Sequence, residues 1–102
     1  MAKKLIYVDK KEIVLIILGK KVESLNLTAD KISRIQFDRI NERKFLKKVP
    51  SEKISFTVRG RENLVTYTKM KDKEFFEVYK EEVRRFAKEN RVTFADNLEK
   101  AQ

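Results

Sequence analysis

The best candidate for a catalytic motif in this 102-residue chain is Glu42-Arg43-Lys44, in which one residue separates an acid from a lysine. Some metal-dependent nucleases use that spacing. With 25 Lys and Arg and 16 Asp and Glu in the chain, such a triplet is expected by chance, and no upstream aspartate in a Pro-Asp context accompanies it. A metal-dependent nuclease is therefore a distant third among the functions that the sequence suggests.

The chain has no histidine and no cysteine. Imidazole bases, thiolate nucleophiles, disulfides and ordinary zinc sites are therefore excluded. Serine, lysine, tyrosine and carboxylate chemistry remain, but Tyr67 and Tyr79 fall on apolar faces and are predicted to be packing residues. We expect a protein without catalytic residues, cofactor or metal site.

Positive charge is concentrated in the middle of the chain. The formal net charge is +9, and the 28 residues from Arg34 to Arg61 carry nine basic and three acidic residues, a net +6. A basic balance favours anionic partners. A solvated charged surface, as in a heat-adapted protein, would also be rich in Lys and Glu, but it does not predict segregation of the two signs. A run of charge is nevertheless more often a solvated loop than a binding site, so a solvated surface remains the alternative to a functional one.

A basic loop is predicted at about 38–53, and its cations are the candidate residues for binding an anionic partner. Phosphates of nucleic acid are one such partner, with Phe37 or Phe45 stacking on bases, although both are expected in the core. An acidic protein face or an anionic bilayer is another, with Phe45-Leu46 as an apolar tip between basic flanks. The candidate residues are Arg39, Arg43, Lys44, Lys47, Lys48 and Lys53.

Strand signals dominate through Met70. The β-branched run from Ile13 to Leu18 predicts a strand with both faces covered. In the clearest strand Ile54, Phe56 and Val58 alternate inward while Ser55 points outward. A hairpin loop at residues 59–63 follows, and Val65 and Tyr67 form the core pair of the return strand at 64–69.

A helix is predicted over about 72–90. Its apolar stripe recurs at spacings of three and four residues. Asp72 is expected to cap the start, and Asn90 to close the end in a left-handed conformation. Residues 92–94 predict a short edge strand, and residues 97–102 are expected to fray. The stripe consists of Phe75, Phe76, Tyr79, Val83, Phe86 and Ala87.

The stretch from Val22 to Phe86 resembles the bacterial pleckstrin-homology-like domains. These show an Ile-x-x-Ile-x-aromatic strand, a variable basic loop, an alternating hairpin and an acidic residue before an aromatic-rich C-terminal helix. The first of these parts corresponds here to Ile32, Ile35 and Phe37, and the last to Asp72 with Phe75. The pattern is one of apolar spacing and covers about two thirds of the chain.

The resemblance implies a mainly β α+β fold of about seven strands, in a bent antiparallel sheet or partly open barrel capped by the helix. It implies no enzyme activity and no single ligand, and the family serves protein–protein contact, self-assembly and some membrane association. We expect residues 1–102 to form one cytoplasmic domain without a transmembrane segment, which binds a protein partner or an anionic surface and could self-associate through an uncovered strand edge. A basic nucleic-acid-binding domain is the alternative.

Overall fold

Strands make up about half of the structure, a computed structural model that describes residues 3–98. Within that range there are one α-helix, α1 (Phe76–Glu89), and a 3-10 turn at Ala29–Lys31. The strands are β1 (Ile6–Val8), β2 (Glu12–Ile17), β3 (Glu23–Thr28), β4 (Ile32–Lys44), β5 (Lys47–Val58), β6 (Val65–Thr68) and β7 (Phe94–Asp96).

The strands form two sheets. The first is antiparallel in the order β1-β2-β3, and the second has the order β6-β5-β4-β7, with β7 parallel to β4. The structure confirms the expected α+β class, which is mainly β with one C-terminal helix. The strands are open and form no closed barrel within residues 3–98. In the same range no helix is long and apolar enough to cross a membrane.

One hydrophobic cluster joins both sheets to the helix. Strand β5 buries Ile54, Phe56 and Val58 as the alternation predicts, and β6 buries Val65 and Tyr67. Every predicted stripe residue within α1 is buried, because spacings of three and four place them on one side of the helix. The spacing of apolar residues in the sequence therefore identifies the buried faces of β5, β6 and α1.

Two burial predictions on the strands are wrong. Leu18 follows the end of β2 and is 65% exposed, so that end of the strand is not covered on both faces. Ser55 was expected to point to solvent, but it is buried, and its hydroxyl has no hydrogen-bond partner within the described residues. Because β5 lies inside the second sheet between β4 and β6, its outward-facing side chains also have neighbours on both sides.

The helix begins later than predicted, at Phe76 instead of residue 72, and Asp72 does not cap it. Residue 75 occupies the cap position with no side-chain hydrogen bond. The carboxylate of Asp72 is buried and accepts a hydrogen bond from the hydroxyl of Tyr79. That hydroxyl also accepts a hydrogen bond from the backbone N–H of Leu5, with N and O 2.6 Å apart. The Tyr79 hydroxyl thus links the first turn of the helix both to Asp72 and to the residue directly before β1.

The helix ends at Glu89, but Asn90 is not left-handed, with φ of −104°. Arg91 takes that role with φ of 55°, and the N–H of Val92 donates to the carbonyl of Ala87 at 3.0 Å, as in a Schellman cap. The predicted edge strand exists as β7, shifted to Phe94–Asp96. Asn97 does not fray, because its N–H donates to the carbonyl of Phe37; residues 99–102 of that prediction lie outside the described residues.

The prediction of a basic loop at 38–53 is wrong, because most of this segment forms strands. Strands β4 and β5 run through it as one antiparallel hairpin with an unbroken register from Arg34↔Thr57 to Lys44↔Lys47. Thirteen residues of β4 at about 3.4 Å each give a length close to the longest extent of the molecule, 41 Å. The cations therefore lie on a regular ribbon and have fixed positions relative to one another.

Candidate anion-binding hairpin

The end of the β4–β5 hairpin projects beyond the rest of its sheet. Strand β7 pairs with β4 no further than Phe37, and β6 pairs with β5 no further than Lys53. Residues 40–51, here called the distal ribbon, pair with each other and with no third strand among residues 3–98. A two-stranded ribbon is marginally stable in water. The distal ribbon is therefore held mainly by its continuity with the packed half of the hairpin.

Like charges face each other at the end of the distal ribbon. Arg43 lies opposite Lys48, and Lys44 lies opposite Lys47, in two successive cross-strand pairs. Like charges directly opposite each other destabilise a sheet, and none of the four takes part in an ion pair formed within residues 3–98. The arrangement concentrates four cations without any neutralising partner in the described structure.

A two-residue turn, Phe45-Leu46, closes the ribbon beyond these cations. The side chains are 88% and 95% exposed, and Phe45 has φ of 58°. Positive φ at such turns is normally supplied by Gly, Asn or Asp, because a Cβ atom is strained there. An aromatic residue at this position, followed by leucine, contradicts both the usual turn chemistry and the usual surface composition. The expectation that Phe45 belongs to the core is wrong, whereas Phe37 is fully buried.

The six predicted residues do not form one flat patch. Strand alternation places cross-strand pairs on the same face, so the three members of β4 and the three of β5 are divided equally between the two faces of the ribbon. Arg39 lies opposite Glu52, and Lys53 lies opposite Asp38, so each of these has an acid as its direct neighbour. The structure therefore reduces the predicted set to the four cations of the tip.

The triplet with nuclease-like spacing is split by the same alternation. Glu42 and Lys44 point to one face and Arg43 to the other. The carboxylate of Glu42 accepts a hydrogen bond from the hydroxyl of Ser51 across the ribbon, with the two oxygens 2.7 Å apart. Within residues 3–98 no three acidic side chains are grouped as a metal site would require. Glu42 acts here as a cross-strand partner of Ser51.

A cleft of about 540 Å³ lies where the hairpin meets the connection between β6 and α1. Its wall combines apolar side chains of the ribbon with Met70. Lys69 and Lys73 lie outside the basic segment of the sequence, and only the fold brings them to this cleft. The charged residues of the cleft are Arg39, Lys44, Lys69, Lys73 and Glu52.

Glu52, the acid of this cleft, is bound by a lysine of the helix. Lys80 Nζ lies 2.8 Å from a Glu52 carboxylate oxygen and 3.1 Å from one of Glu77. Burial lowers the pKa of Lys80, but the hydrogen bonds to Glu52 and Glu77 outweigh burial, so that its pKa is raised and it stays charged. Lys69 contacts Glu77 as well, at 3.3 Å. Lys69 and Lys80 are therefore in ion pairs, unlike the four cations of the tip within the described residues.

Comparison with family models, curated proteins and solved structures gives no match for this chain.

Proposed function

We propose that this protein is a non-catalytic binding domain of the pleckstrin-homology-like type, which docks on an anionic surface through the tip of its β4–β5 hairpin. The observation that carries the proposal is the set of two like-charge pairs, Arg43–Lys48 and Lys44–Lys47, around an exposed apolar turn. The pairs cost stability where they stand, and an anionic partner would offset that cost by neutralising them. Binding, in the cytoplasm, is the function that such a surface fits best.

Matched charge variants test the proposal. In the tip variant Arg43, Lys44, Lys47 and Lys48 are changed to Gln together. The control variant changes four other exposed lysines in the β1–β2 and β2–β3 turns, so that both variants lose the same net charge. The control substitutions are Lys10→Gln, Lys11→Gln, Lys20→Gln and Lys21→Gln.

Binding to heparin, an acidic polypeptide and anionic vesicles is then measured as a function of salt. Each basic residue near an anionic membrane contributes roughly 1 kcal/mol, so removal of four is expected to lower affinity for anionic vesicles by about 1,000-fold. The control variant is expected to lose much less. Equal losses in both variants would mean that net charge alone governs binding and would contradict a site at the tip.

Nucleic-acid binding is the alternative, and the two-stranded form of the distal ribbon favours it. A two-stranded β-ribbon fits the major groove of duplex DNA, and an exposed aromatic residue such as Phe45 can stack on unpaired bases. Titration with duplex DNA, single-stranded DNA and RNA at increasing salt separates this function from the first. The nucleic-acid function is supported if the affinity for one of these nucleic acids exceeds the affinity for heparin at the same salt concentration. A metal-dependent nuclease stays a distant third, and loss of a measured nuclease activity in the Glu42→Ala, Lys44→Ala variant would be needed to support it.

Self-association through a strand edge is a separate part of the proposal. Strand β6 pairs with β5 on one side, and its other side has no strand partner within the described residues. Leu64, directly before this strand, is exposed. An uncovered strand edge can pair with a second copy of the chain. Light scattering tests this part, and a strict monomer at high concentration would exclude it.

A further inference from the structure

We infer that the anionic surface is a lipid bilayer, and that the Phe45-Leu46 turn inserts into it while the four cations of the tip bind the headgroups. This inference rests on the proposed function and makes the partner specific. It starts from the exposure of the turn: Phe45 and Leu46 are the two most exposed large apolar side chains in residues 3–98.

The geometry of the hairpin tip matches the layers of a membrane surface. The two apolar residues are at the very end, the Lys44–Lys47 pair is one residue behind them, and the Arg43–Lys48 pair is one further step of about 3.4 Å back. An interfacial segment buries its apolar part about 5–10 Å deep, at the boundary between headgroups and acyl chains. With the turn at that depth, all four cations lie at the level of the phosphates.

The apolar pair distinguishes a bilayer from the other anionic partners. Phe45 could stack on a base, but the aliphatic side chain of Leu46 has no comparable use against a sugar–phosphate backbone. A projecting tip would also need a matching apolar pocket on an acidic protein, whereas the hydrocarbon region of a bilayer accepts a convex end of any shape. Apolar contact together with basic flanks is the combination that anionic membranes bind.

The backbone conformation of the turn disfavours phenylalanine, so the presence of Phe45 is better explained by a role of its side chain. Phe45 holds φ of 58°, which glycine or asparagine would adopt with less strain. Other exposed apolar residues have no pair of cations on each side: Leu18 directly follows β2 and Leu64 directly precedes β6. Features that break local rules at the end of an unsupported ribbon indicate a functional site.

A tryptophan reporter tests insertion directly, because the chain contains no tryptophan. Phe45→Trp places the fluorophore at the tip, and Leu18→Trp is the matched control on another exposed apolar residue. Both proteins are mixed with vesicles of phosphatidylcholine alone and with vesicles that contain phosphatidylserine, with and without bromine-labelled acyl chains. We expect a blue shift and bromine quenching for Phe45→Trp with the anionic vesicles, and neither effect for Leu18→Trp.

Substitutions at the turn complete the test. Leu46→Ser in the otherwise native chain is expected to weaken binding to anionic vesicles about tenfold, because the variant no longer transfers an apolar side chain from water into the bilayer. Binding to heparin is expected to be unchanged. Binding to heparin and to vesicles without quenching of the tip fluorophore would overturn insertion but keep anionic docking. Absence of binding to every anionic probe would overturn both, and stronger binding to nucleic acid than to vesicles would favour the alternative function.

Discussion

Lys44 and Lys47 lie directly opposite each other as the last pair of the β4–β5 ladder, and Arg43 and Lys48 repeat this arrangement one pair earlier. The turn that joins the strands, Phe45-Leu46, is apolar and exposed. The packed half of the hairpin holds these residues in register although their own charges oppose the pairing. Stability and binding should therefore respond in opposite directions to substitutions at the tip.

Reversing one charge of the last pair tests this opposition. In Lys47→Glu, the like-charge pair with Lys44 becomes an opposite-charge pair, so we expect the free energy of unfolding to rise by about 0.2–1 kcal/mol. Binding to anionic vesicles and to heparin should fall. Denaturant unfolding and vesicle sedimentation measure the two effects, with Lys10→Glu as the control for net charge. A loss of both stability and binding would contradict the prediction.

The turn should show the same separation. Phe45→Gly removes the Cβ atom from a residue with positive φ, so we expect the free energy of unfolding to rise by roughly 1 kcal/mol. It also removes the apolar side chain proposed to enter the bilayer, so vesicle binding should weaken. Glycine at position 46 is the comparison, because Leu46 does not have positive φ and Leu46→Gly should give no gain in stability. An unchanged affinity for vesicles in Phe45→Gly would argue against insertion of the aromatic ring.

Alkaline pH should destabilise the fold through two buried tyrosines. Burial, and then the hydrogen bond to Asp72, raise the pKa of Tyr79 above its ordinary value of 10.0, and burial also raises the pKa of Tyr67. Below pH 10 both phenols are protonated in the folded and unfolded states. Above pH 10 the unfolded chain loses these protons first, so stability must fall as the pH rises further.

Two tyrosine variants measure this dependence. Tyr79→Phe and Tyr67→Phe should each reduce the slope of unfolding free energy against pH above 10, relative to the unsubstituted chain. Tyr79→Phe should also lower stability at neutral pH by about 1–3 kcal/mol, because Asp72 and the N–H of Leu5 lose their partner. A slope that neither substitution changes would contradict the assignment.

The helix provides a test of the core that does not involve the site. Phe76 is fully buried and Val78 is 44% exposed two residues later on the same helix. We expect Phe76→Ala to cost about 3–5 kcal/mol in thermal or denaturant unfolding, and Val78→Ala to cost less than about 1 kcal/mol. Similar costs would mean that the helix does not pack on the sheets through its aromatic face. Anion binding per folded molecule should be the same in both variants.

The sequence by itself predicts the elements that have a buried and an exposed side. Ile54, Phe56 and Val58 alternate with period two, and the aromatic stripe of α1 recurs with the helical period, because burial on one side imposes these spacings. The mainly β class with one C-terminal helix follows from them. The concentration of positive charge in the middle of the chain is also evident, since composition does not depend on conformation.

Tertiary structure alone decides the form of the site. Residues 43–48 are exposed on both faces of the ribbon, so no apolar alternation marks them as strands and the charged segment resembles a loop. The register that sets Arg43 opposite Lys48 is imposed by the packed half of the hairpin, many residues away. Asp72 likewise resembles a helix cap in the sequence. In the structure it accepts a hydrogen bond from the hydroxyl of Tyr79, because packing of the helix on the sheets places that hydroxyl beside it. Strand pairing and burial depend on contacts between residues far apart in the sequence, and the local spacing of residue types does not specify those contacts.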